Sequence, residues 1–487
     1  MIVLPLTCTT PSLLLDTFRI PYDVVGGDDE VVRIRTASGR PVMSWRRTDG
    51  SAAPAPAAYR LEGIPIFVRL RDAGPRDPSS TVIATVSAPD GSVRAAVRRN
   101  DDGSIDLPFD PGDAIGNVLS EAYTGADDVR SRALLRRAAL AAYYAAKPHI
   151  PRSAQLAARR RLARVQARRA FPRWPIEDGL HQLYDWLLGR LAGAVGSPLP
   201  TIAPWPGGAS WALVLTHDVE QLEGFRRLDV LRDVERSVGA RSSWNFVPER
   251  HEIGSRYDVD VGTVDRLVGE GCEIGVHGLR HDGRDLASLP ILRQRLPAIR
   301  AAADRWGAVG FRSPATHRVW GWMPLLGFDY DSSSPDTDPF EPRAGGCCSL
   351  FPFMNGDLVE LPITLTMDHT LFDILGERDE RVWVQKTEHI RRRGGMALVL
   401  THPDYTARGP LVPSYRSYLE RYLDDPTVWH ALPREVSAWW RRRMASTIER
   451  DGDGWRIVGP AAEDGSVAPV GGDGVLTEES PWLARTS

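Results

Sequence analysis

Cysteine and lysine are the residues this sequence nearly does without. Its 487 residues hold 4 cysteines, Cys8, Cys272 and the adjacent pair Cys347–Cys348, with no CxxC spacing. That argues against a disulfide framework and for free thiols in a reducing compartment. Lysine occurs only at Lys147 and Lys386, so almost all positive charge is arginine. A GC-rich genome produces that bias, and arginine also suits anionic or sugar-phosphate ligands. No run approaches the roughly eighteen apolar residues of a membrane span. The start lacks a basic n-region and reaches Asp16 after a short, interrupted apolar run, so no secretory signal is expected. The net charge of −3 gives no overall pull toward nucleic acid or anionic membrane. A cytoplasmic protein is therefore the expectation. With 42% hydrophobic and 25% charged residues, the chain has an ordinary globular composition and a length for two or three domains.

Four regions differ in character. Residues 1–126 alternate short β-like runs with turns (Val31–Thr36, Pro65–Leu70, Thr81–Val86), and Val93–Arg98 and Ser104–Leu107 flank a hairpin turn at Asn100–Gly103. A small β-rich domain is predicted there, with Ser51–Ala58 as a loop. Residues 127–204 read as a helical connecting region, with segments at Arg132–Ala145, Ala154–Ala170 and Glu177–Ala194. The middle one carries Arg159, Arg160, Arg161, Arg164, Arg168 and Arg169. It is either a basic face for an anionic lipid or glycan, giving peripheral membrane contact through 154–170, or a solvated, salt-bridged helix face. Residues 205–445 alternate strands (Trp211–Thr216, Ser242–Val247, Glu273–Val276, Val309–Arg312, Phe328–Asp331, Leu358–Ile363, Met396–Thr401) with helices such as Val261–Glu270, Ile291–Trp306 and Arg381–Arg393. That pattern predicts a parallel, barrel-like α/β domain. Residues 446–487 read as a hairpin around Asp451–Gly454 and a loose tail beyond Ala461.

Polar residues recur where the α/β strands end, which is where such folds carry chemistry. Thr216-His217-Asp218-Val219-Glu220 puts Asp218 and Glu220 on one side of an extended chain, able to divide the work of base and metal ligand. His277-Gly278-Leu279-Arg280-His281 offers two imidazoles that reach one divalent ion if the chain turns helically. Leu398–Thr401 delivers His402 to a strand end, as a general acid or as a satisfied structural histidine. Phe311-Arg312-Ser313-Pro314 and Asp329-Tyr330-Asp331-Ser332-Ser333 lie between.

This ordered set resembles the polysaccharide-deacetylase (NodB-homology) family, carbohydrate esterase family 4, over about half the chain. The acidic, HxxxH, Arg-x-Pro, Asp-containing and strand-borne histidine motifs stand in the family's order. The features 335–348 and 358–372 look closest to a divergent bacterial branch linked to surface-polysaccharide synthesis. The resemblance implies a deformed (β/α) barrel of NodB type holding one divalent metal, zinc first, cobalt or nickel as alternatives. It implies His277 and His281 as ligands, with Glu220 as the third and His217 as a lesser candidate, because Val219 stands where the common motif has an aspartate. Asp218 would be the base and His402 the acid, with Arg312 orienting Asp218 and Asp331 orienting His402, or both in structural ion pairs. His317, Arg318, Asp368 and His369 would line the substrate site, and Cys347 and Cys348 would be packing residues. The implied activity is removal of an acetyl group from an N-acetylated sugar or glycan precursor. The alternatives are a small-molecule C–N amidase on the same barrel, or a non-catalytic glycan-binding or scaffold protein.

Overall fold

The computed structural model describes residues 12–25, 31–36, 39–47, 56–71, 78–125, 160–249, 259–341, 343–405 and 410–470. The predicted helix at Arg132–Ala145 lies outside them. The contacts divide the chain into two units, one of 1–126, 178–210 and 438–487, the other of 127–177 and 211–437. These boundaries cut across the four sequence regions.

The first unit is built on an eight-stranded sheet: β1 Asp23–Val24, β2 Val31–Arg35, β3 Pro41–Arg46, β4 Ala57–Leu61, β5 Ile64–Val68, β6 Thr81–Ser87, β7 Val93–Arg99 and β8 Ile105–Asp106, in the order 1-2-3-8-7-6-4-5. The helix Gly179–Val195, expected in a separate connecting region, belongs to this unit. So does β9, Leu199–Ile202, which pairs antiparallel with Val467–Val470. The pairing gives order to residues expected in a loose tail, because Thr201 Oγ1 and the ladder supply their backbone partners. Buried Arg443 binds the carbonyls of Ile202, Ala203 and Thr17.

In the second unit a nine-stranded sheet carries β10 Trp211–Val219, β11 Ser243–Phe246, β12 Glu273–His277, β13 Gly310–Arg312, β14 Tyr330–Asp331, β15 Phe353–Asn355, β16 Leu358–Glu360, β17 Met396–Thr401 and β18 Val428–His430. The path runs 15-16-14-13-12-11-10-17, with β18 also on β10, and every pairing except β15–β16 is parallel. This is a curled, open sheet. The deformed (β/α) barrel expected from the sequence takes the form of this half-barrel and does not close, since among the described residues no strand pairing joins β16 to β17. Single bonds from the extended chain after β16, Leu365 N–H to the Leu398 carbonyl and Leu398 N–H to Thr364 Oγ1, bridge that side instead.

Strand alternation sorts the side chains. Trp211, Leu213, Leu215, Val219, Trp244, Phe246, Ile274, Val276, Phe311, Ala397 and Val399 pack outward into a core with Leu231, Val234, Leu267, Leu292 and Ile299 of the covering helices. The other row holds Val214, Leu398 and Leu400 lower down and turns polar or small toward the C-terminal ends, with Thr216, Asp218, Asn245, Gly275, His277 and Arg312. Two glycines leave room for this inner layer. A Cβ on Gly275 would sit 2.0 Å from Asn245 Oδ1, and one on Gly310 would sit 1.9 Å from the Tyr330 ring.

Deep in the same row, Glu273 accepts from Tyr330 Oη and from the Arg434 N–H. Burial pushes its carboxyl from 4.5 up to about 7, more than those two donors and the nearby Arg434 charge pull it down. A raised acid binds its proton more tightly when folded, so its stabilisation is full below the unfolded value and is lost as pH rises through about 7. Between pH 4.5 and 7.5 the native protein should lose on the order of 3 kcal/mol through this group. Denaturation midpoints measured across that range should fall less steeply for Glu273→Gln; parallel curves would remove Glu273 from the account. A second buried charge is Lys386, whose Nζ lies 2.7 Å from Asp336 Oδ1. Cys347 and Cys348 are buried close by in sequence, and the Cys348 N–H donates to the Asp336 carbonyl.

Candidate active site

Because β10 to β14 and β17 run parallel, their C-terminal ends share one edge, and the inward residues of those ends meet. Asp218 registers with Asn245, and His277 with Arg312. Asp218 Oδ1 accepts from Asn245 Nδ2 at 2.8 Å and from Arg312 Nη1 at 3.3 Å. Burial alone would raise this carboxyl, but Arg312, His277 and His402 hold it below its ordinary value. Arg312 is fixed in turn by the Ser332 carbonyl, Ser332 Oγ and Thr216 Oγ1 at 2.7–2.9 Å.

Two residues on, Glu220 faces the same side as Asp218, while Val219 between them is fully buried in the outer core. Val219, where the resemblance would put an aspartate, is thus a packing position. Glu220 Oε1 lies 2.9 Å from His281 Nε2, 3.6 Å from His402 Nε2 and 3.9 Å from His277 Nε2. Against the cost of burial, these imidazoles hold Glu220 well below the ordinary range. Glu220, His277 and His281 each offer one ligand atom, all within 4.8 Å of one another.

His277 shows what the cluster is suited to. Its Nδ1 lies 3.2 Å from the Arg312 carbonyl, which can only accept, so in the neutral imidazole the proton sits on Nδ1 and the lone pair on Nε2. Nε2 is buried without a hydrogen-bond partner. A buried acceptor aimed at a carboxylate and a second imidazole is costly unless a cation sits there. Gly278, at φ +63°, makes the turn that brings His281 round: a Cβ would strike Pro314 and Asp285 within 2.6 Å.

His402 closes the other side. Its Nδ1 lies 2.7 Å from Asp368 Oδ1 and its N–H donates to Asp368 Oδ2 at 2.8 Å. Burial would lower this imidazole, but Asp368, Glu220 and Asp218 push it up to about 10. The carboxylate bonded to His402 is therefore Asp368 and not the expected Asp331. Asp331 registers with Phe311 and Glu360, out of step with the inward Tyr330 and Ser332. It accepts from Ser333 Oγ at 2.6 Å and shares a buried site with Glu360, whose carboxyl is driven up by burial and by Asp331.

The remaining expected residues are peripheral. His369 stacks on Tyr405, with ring centres 4.7 Å apart, and Tyr405 meets His402 edge-on at 5.4 Å. His317 is half-buried against Gly283. Arg318, expected to contact substrate, is buried and donates to the Thr316 carbonyl at 2.7 Å. His217, the alternative ligand, faces the helices: it lies 2.8 Å from Glu235 and 2.7 Å from Thr401 and packs on Trp244. Two supporting residues were not foreseen. Asn245 lies in the strand Ser243–Phe246, and its signal was an amide set between the apolar Trp244 and Phe246. Asp404 lies in the same Thr-His-Pro-Asp run as His402. Its carboxylate accepts from the backbone of Glu220, Gln221 and Gly224 at 3.0–3.2 Å, fixing the segment that presents Glu220.

If Asp368 sets the tautomer and charge of His402, Asp368→Asn should depress any activity that needs His402 by about 10–100-fold and lower the pH at which activity falls on the alkaline side. Asp331→Asn should change neither. Equal losses in steady-state assays of the two variants would reverse that assignment.

No protein-family model and no curated protein matches the chain. Among solved structures it is similar to one described as a polysaccharide deacetylase from Mycobacterium smegmatis, at 19% identity over 52% of this chain and 98% of that one, TM-score 0.39. A second, described in the same terms from Pseudomonas aeruginosa PAO1, is 17% identical over 52% of this chain and 97% of that one, TM-score 0.39. An allantoinase is 15% identical over 49% and 92% of the two chains, TM-score 0.38.

Proposed function

We propose that the chain is a metal-dependent hydrolase that removes an acetyl group from an N-acetylated sugar or glycan precursor. The observation that carries this reading is the Glu220–His277–His281 cluster, set between an anionic Asp218 and a cationic His402. One divalent ion, zinc first, held by those three side chains would supply Lewis-acid polarisation of an amide carbonyl and a more acidic water. Asp218, kept ionised by Arg312 and Asn245, takes the proton from the attacking water as the tetrahedral carbon forms. His402, kept protonated by Asp368, gives its proton to the nitrogen as the C–N bond breaks, so that acetate and a free amine leave. His317 and His369 stand at the periphery where a sugar would be gripped. A scaffold protein or bare binding module has no use for an oriented acid opposite a base, which favours the enzyme over that reading. The test is acetate release from N-acetylglucosamine oligomers by protein loaded with zinc, cobalt or nickel. Release that disappears with chelator and returns with metal supports the reading; none with any of the three metals counts against it.

A further inference from the structure

We propose that the arginine-rich helix over 160–166 and the turn after it form a docking surface for an anionic lipid membrane. This is independent of the deacetylase reading. The charge is extreme for its place: between Val129 and Ile176 the sequence has thirteen basic side chains and not one carboxylate, in a chain whose net charge is −3. Among the described residues, the helix is seated by one face only. Ala163 is buried against Phe340 and Ile374, with Ala167 and Trp174 beside it, and Arg160 donates to the Asp373 carbonyl. The opposite face presents Arg161, Arg164, Arg168 and Arg169, all exposed, and none makes an ion pair among the described residues. Among the described residues, no salt-bridged surface explains such a run.

Between the arginines stand Leu162 and Val165, 55% and 67% exposed and among the most exposed large apolar side chains of the described residues. Cations flanking apolar side chains on the free face of a helix fit a lipid headgroup layer, where the guanidinium groups meet phosphate and the apolar groups enter the acyl boundary. A soluble polyanion would use the arginines and leave Leu162 and Val165 in water. The apolar pair therefore selects the membrane.

The full chain should sediment with vesicles of phosphatidylcholine containing phosphatidylglycerol and not with phosphatidylcholine alone, and salt should weaken the binding. Replacing Arg161, Arg164, Arg168 and Arg169 by serine should weaken partitioning at least about tenfold. Leu162→Ser with Val165→Ser should weaken it several-fold at unchanged charge and unchanged melting temperature. These side chains are exposed, and the apolar pair alone decides the question should the arginine variant misfold. Absence of binding to anionic vesicles overturns the proposal. So does binding that the Leu162/Val165 variant leaves untouched, in which case a soluble polyanion such as heparin should compete equally and the face is a polyelectrolyte site.

Discussion

Purified protein is expected to hold about one divalent ion per chain, and His277→Ala and Glu220→Ala to hold none under the same conditions. The loss should exceed the roughly 10–100-fold that removal of an outer-shell partner costs a metal site. As a neutral imidazole, His277 would offer its Nε2 lone pair to the ion: its Nδ1 faces the Arg312 carbonyl and its buried Nε2 has no hydrogen-bond partner. Glu220 contributes the carboxylate oxygen within 3.9 Å of three imidazoles. Without it those rings face one another with no charge to hold an ion. His217→Ala is the informative control, because His217 points to Glu235 on the far face. It should cost stability and leave stoichiometry alone. Elemental analysis after extensive dialysis, repeated after zinc reconstitution, reads the outcome. Metal retained by both site variants would remove the cluster from the mechanism.

Asp218→Asn is expected to keep its metal and lose turnover, by about 10²–10⁴-fold, the range ascribed to a positioned general base. The amide fills the same volume and keeps an oxygen for Asn245 and Arg312 to bind, yet it cannot take a proton from water. Metal content and activity should therefore separate in this variant, whereas they fall together in His277→Ala. If acetate release proves slow but undiminished in Asp218→Asn, the proton acceptor lies elsewhere. A variant that loses its ion as well would make Asp218 a ligand.

The strands that bring Asp218, His277 and His402 together were legible because each is a short apolar run ending in a polar residue. Trp211–Thr216 and Met396–Thr401 are plain in the sequence, and Asp218, His277 and His402 follow from where those runs stop. Glu220 was legible through the two-residue period of an extended chain, which turns Val219 into the core. What was not legible depends on register between strands far apart in sequence. Asp331 and Asp368 are each an aspartate near a strand, and only the pairing of β14 with β13 and β16 shows that Asp331 faces Glu360. Asp368 reaches His402 across 34 positions of chain. Arg318 fails for a related reason, since nothing in Thr-His-Arg tells a buried arginine from a reaching one. The open edge of the sheet was hidden too: strands alternating with helices look alike whether the last closes on the first or stops short.

The ion pair between Lys386 and Asp336 has a practical consequence. In a chain with one other lysine, Lys147, an amine-directed acylating reagent has only two ε-amino groups to find. The Lys386 amine is buried against its carboxylate, so it becomes reactive only when that part of the molecule opens. A peptide spanning Arg381–Arg393 would then gain mass at the rate of opening. The chain thus contains a single-site recorder of its own breathing, readable by mass spectrometry with no introduced label. Bound metal should slow that recorder only if the opening it reports also dismantles the Glu220–His277–His281 cluster.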